Sequence, residues 1–382
     1  MKLYRNGIIH SALQETAFAG DILVEDGKIK KIGTIQPTAD MEVINLAGKL
    51  VYPGFIDAHC HIGMWESAIG FEGNDGNEAS NVNTANLRAI DAINPMDEAF
   101  EAARNAGVTT AITGPGSANV IGGTFLAMKT VGKRIDDMVI KNPVAMKVAF
   151  GENPKRVYKE KGNMTRMQTA ANLRDALYQA KEYAYKLEEG AKDAAKMPAY
   201  DAKLLALLPV VKKELPLKVH AHRADDIFTA IRICKELDIC YTLEHCTEGH
   251  LIADELAKEQ VVANVGPSLS DKSKFELKNL TFKTPAVLTN AGIKVAIITD
   301  SPVIPLEYLP LCASLAMKSG LPEFDALKAI TINAAEITGI ADRVGSLEEG
   351  KDADFVVLDR PFYDVQANTV MTVIDGEIVY QG

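Results

Sequence analysis

A chain of 382 residues, 47% hydrophobic and 24% charged, has room for a full-sized core: two or three domains, or one barrel with an accessory domain. Its formal charge of −10 leaves no excess of Lys and Arg for phosphate, which argues against nucleic-acid and anionic-membrane partners. No stretch approaches the roughly 18 apolar residues of a membrane span, and MKLYRNGIIH lacks the apolar core and cleavage site of a signal peptide. The five cysteines (Cys60, Cys234, Cys240, Cys246, Cys312) form no CxxC pair. An odd number in a chain this large reads as reduced core residues, so the compartment expected is the cytoplasm.

Residues 1–52 read as β-structure. Ile22-Leu-Val and Lys28-Ile-Lys-Lys-Ile flank Asp26-Gly27, a strong two-residue hairpin signal. The far end repeats the device: a strand from Asp354, then Met371-Thr-Val-Ile, Asp375-Gly376 and Glu377-Ile-Val-Tyr. Neither segment is long enough to bury a core alone. The expectation is one small β-sandwich built from residues 1–52 and 345–382.

Pro53 and Gly54 break that pattern, and FIDAHCH follows. On an extended segment, side chains at i and i+2 leave on the same face. His59 and His61 can therefore aim two imidazoles at one point, while Cys60 faces away. Beyond them, strand-like runs at 108–113, 144–150, 217–222, 241–245, 261–265 and 294–299 alternate with helical patterns. Thr165 and Gln168 resemble a capping box, ahead of Leu173, Leu177, Ala180, Ala184 and Leu187 at helical spacing. Ile227, Ile231 and Cys234 share a face in the next unit. Pro322 opens a helix with Phe324, Leu327, Ile330, Ala334 and Ile337 inward, closed by Gly339. This alternation favours an α/β fold, a parallel (β/α)8 TIM-like barrel over residues 53–344. The segments 65–83 and 114–123, rich in Gly and Asn, are read as loops covering its pocket.

The strand ends carry the chemistry. His220-Ala-His222 follows one run, Glu244-His245 another and Asp300-Ser301-Pro302 a third, while Lys147 sits inside Val-Ala-Met-Lys-Val-Ala-Phe. Taken singly, His245 could be a hydrogen-bonded core residue, Asp300 a loop cap, and Lys147 a side chain snorkelling to the surface. Together, five of the seven histidines stand at strand ends (His10 and His250 do not), where barrel active sites are built. A buried lysine in such a strand requires a partner or a modification. Cys246 as a thiolate ligand is disfavoured, because neighbours on a strand face opposite ways.

PGFIDAHCH, KVHAHRADDIFTAI, YTLEHCTEG, ITDSP and ALKAITINAAEITGIADRVGSLEEGKDADFVVLD resemble the amidohydrolase superfamily, in its imidazolonepropionase-related and Xaa-Pro-dipeptidase-like branch. The resemblance spans essentially the whole chain and implies a metal-dependent hydrolase of C–N bonds on a (β/α)8 barrel. It implies that His59, His61 and Asp300 hold one divalent ion and that His220 and His245 hold a second. Zinc is expected first, with iron, manganese or nickel as alternatives. Lys147 would bridge the ions after carboxylation by CO2; a glutamate alternative is Glu152. Two departures stand out: AFGENPK follows Lys147 where dipeptidase-like relatives have SGG, and imidazolonepropionase lacks the lysine. Asp300 would be the general base, and His222 and Arg223 substrate contacts, with Asp225 or Asp226 as competing partners of Arg223. The partners expected are a small-molecule substrate and further copies of the chain. A mononuclear deaminase of the same superfamily and a non-catalytic interaction protein are the alternatives.

Overall fold

Two eight-stranded sheets hold the strands of the computed structural model, which describes residues 1–67 and 70–382. The first is made from both ends of the chain. Lys2–Ile9, Phe18–Glu25, Lys28–Gly33, Glu42–Asn45 and Leu50–Pro53 come from the N-terminal segment, and Phe355–Leu358, Thr369–Ile374 and Glu377–Gln381 from the C-terminal one. The junction is antiparallel, with Phe355 opposite Pro53 and Leu358 opposite Leu50. Tyr4, Ile22, Val51, Phe355, Val357 and Val373 bury one shared core, so neither end encloses apolar surface unaided. Seven of these strands follow one hydrogen-bond path, and Glu42–Asn45 branches from it alongside Lys2–Ile9. Both Asp-Gly turns form: Asp26 and Gly27 have φ of +51° and +75°, Asp375 and Gly376 +48° and +75°. Positive φ at both central residues is what a two-residue I′ hairpin needs.

The second sheet forms a near-barrel. Its strands in order are Phe55–Cys60, Val108–Thr113, Ile121–Lys129, Val139–Ala149, Leu217–Ala221, Tyr241–His245, Val262–Val265 and Lys294–Ile297. All run parallel except Ile121–Lys129, which is antiparallel to both neighbours. This corrects the all-parallel expectation, and the reason is the connection. A parallel crossover takes about a dozen residues or more, and residues 114–120 are too few. The segment 114–123 is thus loop only in its first part. Polar bonds, not a ladder, link the first and last barrel strands: His61 N–H donates to Ser301 O (2.8 Å), and Asp57 accepts from Thr299 N–H (2.9 Å) and Oγ1 (2.5 Å).

Helices cover the outside. Arg166–Lys192 is capped by Thr165, whose Oγ1 accepts from the Gln168 N–H at 3.1 Å. The Gln168 side chain donates to Asn172 rather than returning to Thr165, so only half of the capping box forms. Leu173, Leu177 and Ala180 are buried as expected, after which Tyr183 replaces Ala184 on the inner stripe. The helix expected from Pro322 to Gly339 is two helices, Glu323–Ala329 and Ile332–Thr338. Thr331 sits at the break with φ −140°, fully buried, and its hydroxyl donates to Leu327 O at 2.6 Å. Among the described residues, no helix is long and apolar enough to cross a membrane.

Candidate active site

The carboxyl ends of the barrel strands converge on one buried cluster. His59 is fully buried, its Nδ1 2.9 Å from Glu244 Oε2 and its Nε2 3.6 Å from Asp300 Oδ1. His61 follows at i+2, as alternation requires; its Nε2 lies 3.1 Å from the same Asp300 oxygen. Its Nδ1 donates to Gly114 O at 2.7 Å, which fixes the tautomer and leaves Nε2 with a free lone pair. His245 repeats this with Gly266 O at 2.8 Å, and His220 Nδ1 is 2.8 Å from Ser117 Oγ. The Nε2 atoms of His220 and His245, together with Asp300 Oδ1, are buried with no hydrogen-bond partner among the described residues. Leaving such atoms unsatisfied costs about 1–3 kcal/mol each, and a bound group could satisfy them.

Local backbone geometry contributes. His245 and Asp300 have φ of +69° and +56°, the left-handed region that non-glycine residues avoid. That twist explains how adjacent residues serve one centre. Glu244 lies against His59, yet the His245 ring also reaches the cluster, with its centroid 5.2 Å from that of His59. The alternation rule, which would separate Glu244 from His245, fails here because the strand ends in a turn.

Burial and the charges of Lys147 and Lys218 push His59 well below the usual imidazole range; burial and the neighbouring imidazoles do the same to His220. His245 is brought down by burial to about 4. Burial opposes ionisation of Asp300, but His245, His61 and Lys147 outweigh it and hold its carboxyl below the ordinary value. Neutral imidazoles facing an ionised carboxylate form a donor set suited to a divalent ion. Ligand-capable atoms of His59, His245 and Asp300 lie within 4.8 Å of one another, as do those of His220, His222 and His245.

Lys147 is fully buried, with Nζ 3.1 Å from His59 Nε2. Among the described residues it has no carboxylate at ion-pair distance, whereas its strand neighbour Lys218 pairs with Glu244 at 2.9 Å. Burial lowers the Lys147 ammonium to about 7.

The remaining expected residues divide. His222 borders the same cavity and joins the imidazole group, its Nδ1 2.7 Å from Thr247 Oγ1 and its Nε2 3.7 Å from Glu276 Oε1. Of the two roles open to Arg223, the structure shows the pair with Asp225, bidentate at 2.9 Å twice, and Arg223 does not line the cavity. Glu152 departs from expectation. Gly151, at φ +83°, turns the chain into the helix Glu152–Tyr158, so Glu152 leads that helix with its N–H on Glu276 (2.8 Å) and joins neither close group. Ser117, Lys218 and Glu244 were not anticipated. Lys218 was within reach of sequence reasoning, standing at i−2 from His220 and so on the same strand face.

The cavity above the cluster has a volume of about 570 Å³. Trp65 and Asn77 line it from the segment 65–83, of which residues 68 and 69 lie outside those described. The Trp65 ring stands edge-on to His61, with centroids 4.8 Å apart.

A barrel mouth carrying this donor set could hold a divalent ion, and comparison with known proteins gives the class of protein. Residues 50–379 match the model of the amidohydrolase family; the chain belongs to that family and is a hydrolase acting on C–N bonds. An amidohydrolase from Thermotoga maritima superposes with a TM-score of 0.97 at 41% identity, covering 100% of both chains. Imidazolonepropionase from Treponema denticola is 27% identical over 92% of this chain and 88% of its own. Amidohydrolase tasK from Hapsidospora irregularis is 27% identical over 94% of this chain, which spans only 39% of that longer protein. A Xaa-Pro dipeptidase with methionine bound shares the fold, at a TM-score of 0.61 and 17% identity.

Proposed function

We propose that this enzyme hydrolyses a C–N amide bond, linear or cyclic, of a small molecule on a (β/α)8-type metal centre. The observation that carries this reading is the set of buried, unpartnered atoms: His220 Nε2, His245 Nε2 and Asp300 Oδ1. They fit divalent ions, with His59, His61 and Asp300 holding one and His220 and His245 the other. Zinc is the first choice for an imidazole-rich site, and iron, manganese and nickel suit the same donors. When bound, such ions supply Lewis acidity and bring a water's pKa toward neutrality.

In this reading Lys147, once carboxylated, would help to hold both ions. Carboxylation forms a bond between Nζ and the carbon of CO2 and releases one proton, turning a buried cation into a two-oxygen anion. That change supports the lysine's burial without an acidic partner. Asp300 acts as general base, taking a proton from the attacking water and delivering it to the leaving nitrogen. Gly114 O, Gly266 O and Ser117 Oγ hold the imidazoles in the required tautomers. Trp65 limits water entry beside His61, and His222 contacts substrate from the cavity wall.

The test combines metal analysis with a hydrolysis screen of dipeptides, N-acyl amino acids and cyclic ureides. Wild type should bind up to two ions and cleave at least one class, and Asp300→Asn should abolish turnover. A protein that binds no metal at micromolar concentrations overturns the reading. A single ion with ammonia released from an amine-bearing ring would point to the deaminase alternative.

A further inference from the structure

Past the seventh barrel strand the chain lays Lys274 against the cavity wall. Its ammonium donates to Glu276 Oε1 at 3.0 Å and to Asn153 Oδ1 at 3.3 Å. An ammonium has three N–H groups, so one remains for a ligand. Among the described residues that line the cavity, Lys274 is the only lysine or arginine.

What the cavity meets is the cation and not its counter-ion. The Lys274 side chain is 22% exposed, against 1% for Glu276. Glu276 is held behind it by the Glu152 N–H at 2.8 Å, with the His222 imidazole 3.7 Å away on its other oxygen. Ser270 and Ser273 stand on the same wall as neutral hydroxyls, and Asp271, also on that wall, is exposed to solvent, where its charge is screened.

Resting on the hydrolase reading above, we infer that Lys274 is a specificity residue that receives a carboxylate carried by the substrate. The class is an amide with a free carboxylate, such as an N-acyl amino acid or a dipeptide. One ammonium with one free donor matches a monoanion; a phosphate dianion calls for a cluster of cations.

Zinc-loaded full-length protein is assayed on N-acetyl amino acids and dipeptides of glycine, leucine, proline and phenylalanine, each beside its C-terminal carboxamide. Wild type should prefer the free acids roughly ten- to a hundredfold in kcat/KM, the range of a charge-assisted hydrogen bond. Lys274→Gln should erase that preference by raising KM for the acids, with the carboxamides unchanged, and Lys274→Arg should retain it. Gln keeps a donor toward Glu276, and melting temperature with zinc content checks each variant's fold. Equal rates on acids and amides, or a preference that survives Lys274→Gln, overturns the inference and leaves the hydrolase reading standing. Should nothing on the panel be cleaved, that reading fails for these amides and calorimetry judges Lys274 separately. N-acetyl acids that bind wild type and not Lys274→Gln then support the assignment, and no acid binding overturns it.

Discussion

Lys147 and Glu244 differ in what they give the centre. Lys147 is the proposed bridge, so Lys147→Ala should lose bound metal and activity together, and acetate or propionate should restore part of both. Glu152→Gln should be milder, since Glu152 heads a helix outside the close groups. Metal retained by Lys147→Ala but lost by Glu152→Gln would reverse the roles. Glu244 instead lies 2.9 Å from both His59 Nδ1 and Lys218 Nζ and accepts from Asn264 at 3.0 Å. It orients His59 from behind. Glu244→Gln should therefore weaken metal binding about ten- to a hundredfold, read by competition with a chelator, while the ion count at saturation is unchanged. At this scale the sequence was most legible. Two HxH motifs, Glu-His and Asp-Ser-Pro at strand ends pointed to every member of the unpartnered set. For Arg223 two roles stayed open, and the structure shows the pair with Asp225, two residues on, which the sequence already offered.

Elements were legible where the rule is local. Asp-Gly turns need only positive φ at two positions, and Thr165 needs only the amide of Gln168 three residues on. They were illegible where tertiary contacts decide. Ile121–Lys129, absent from the strand-like runs, is buried throughout with Thr124 and Lys129 as its polar residues, so no alternation marked it, and the short link before it sets its direction. At the break Thr331 leaves helical geometry, and its buried hydroxyl donates to Leu327 O. Asp57 is the element-scale joint. It accepts from the His59 N–H at 2.9 Å and from two groups of Thr299, so strands one and eight meet through it, and burial lifts its carboxyl to about 7. Asp57→Ala should cost roughly 3–5 kcal/mol by leaving these donors unsatisfied. Denaturant titration would measure this, and a loss under about 1 kcal/mol would show that the joint lies elsewhere.

The two sheets are joined by a buried ionic cluster. Lys129, on the reversed barrel strand, lies 2.5 Å from Asp354, 2.9 Å from Asp352 and 3.2 Å from Asp375. Lys129→Met removes the cation common to three carboxylates, two of them buried. The expected loss is about 3–5 kcal/mol, with melting temperature falling and metal affinity unchanged once the protein is folded. We propose further that residues 1–52 and 345–382 act as one unit beside the barrel. A chain ending at residue 344 should then be unstable, and adding the peptide 345–382 should restore a cooperative transition. No recovery would argue against a shared unit.

The pairing of Phe355–Leu358 with Leu50–Pro53 has a consequence in time. Between those strands lie about 300 residues, from Pro53 to Phe355. At roughly 5–20 residues per second of synthesis, the early strands wait some 15–60 s before their partner leaves the ribosome. Through that interval Leu50–Pro53 presents an open edge, and the apolar side chains of Tyr4, Ile22 and Val51 lack half their cover. Holding chaperones would find that edge open until Phe355–Leu358 has emerged, and slower translation should lower the soluble yield.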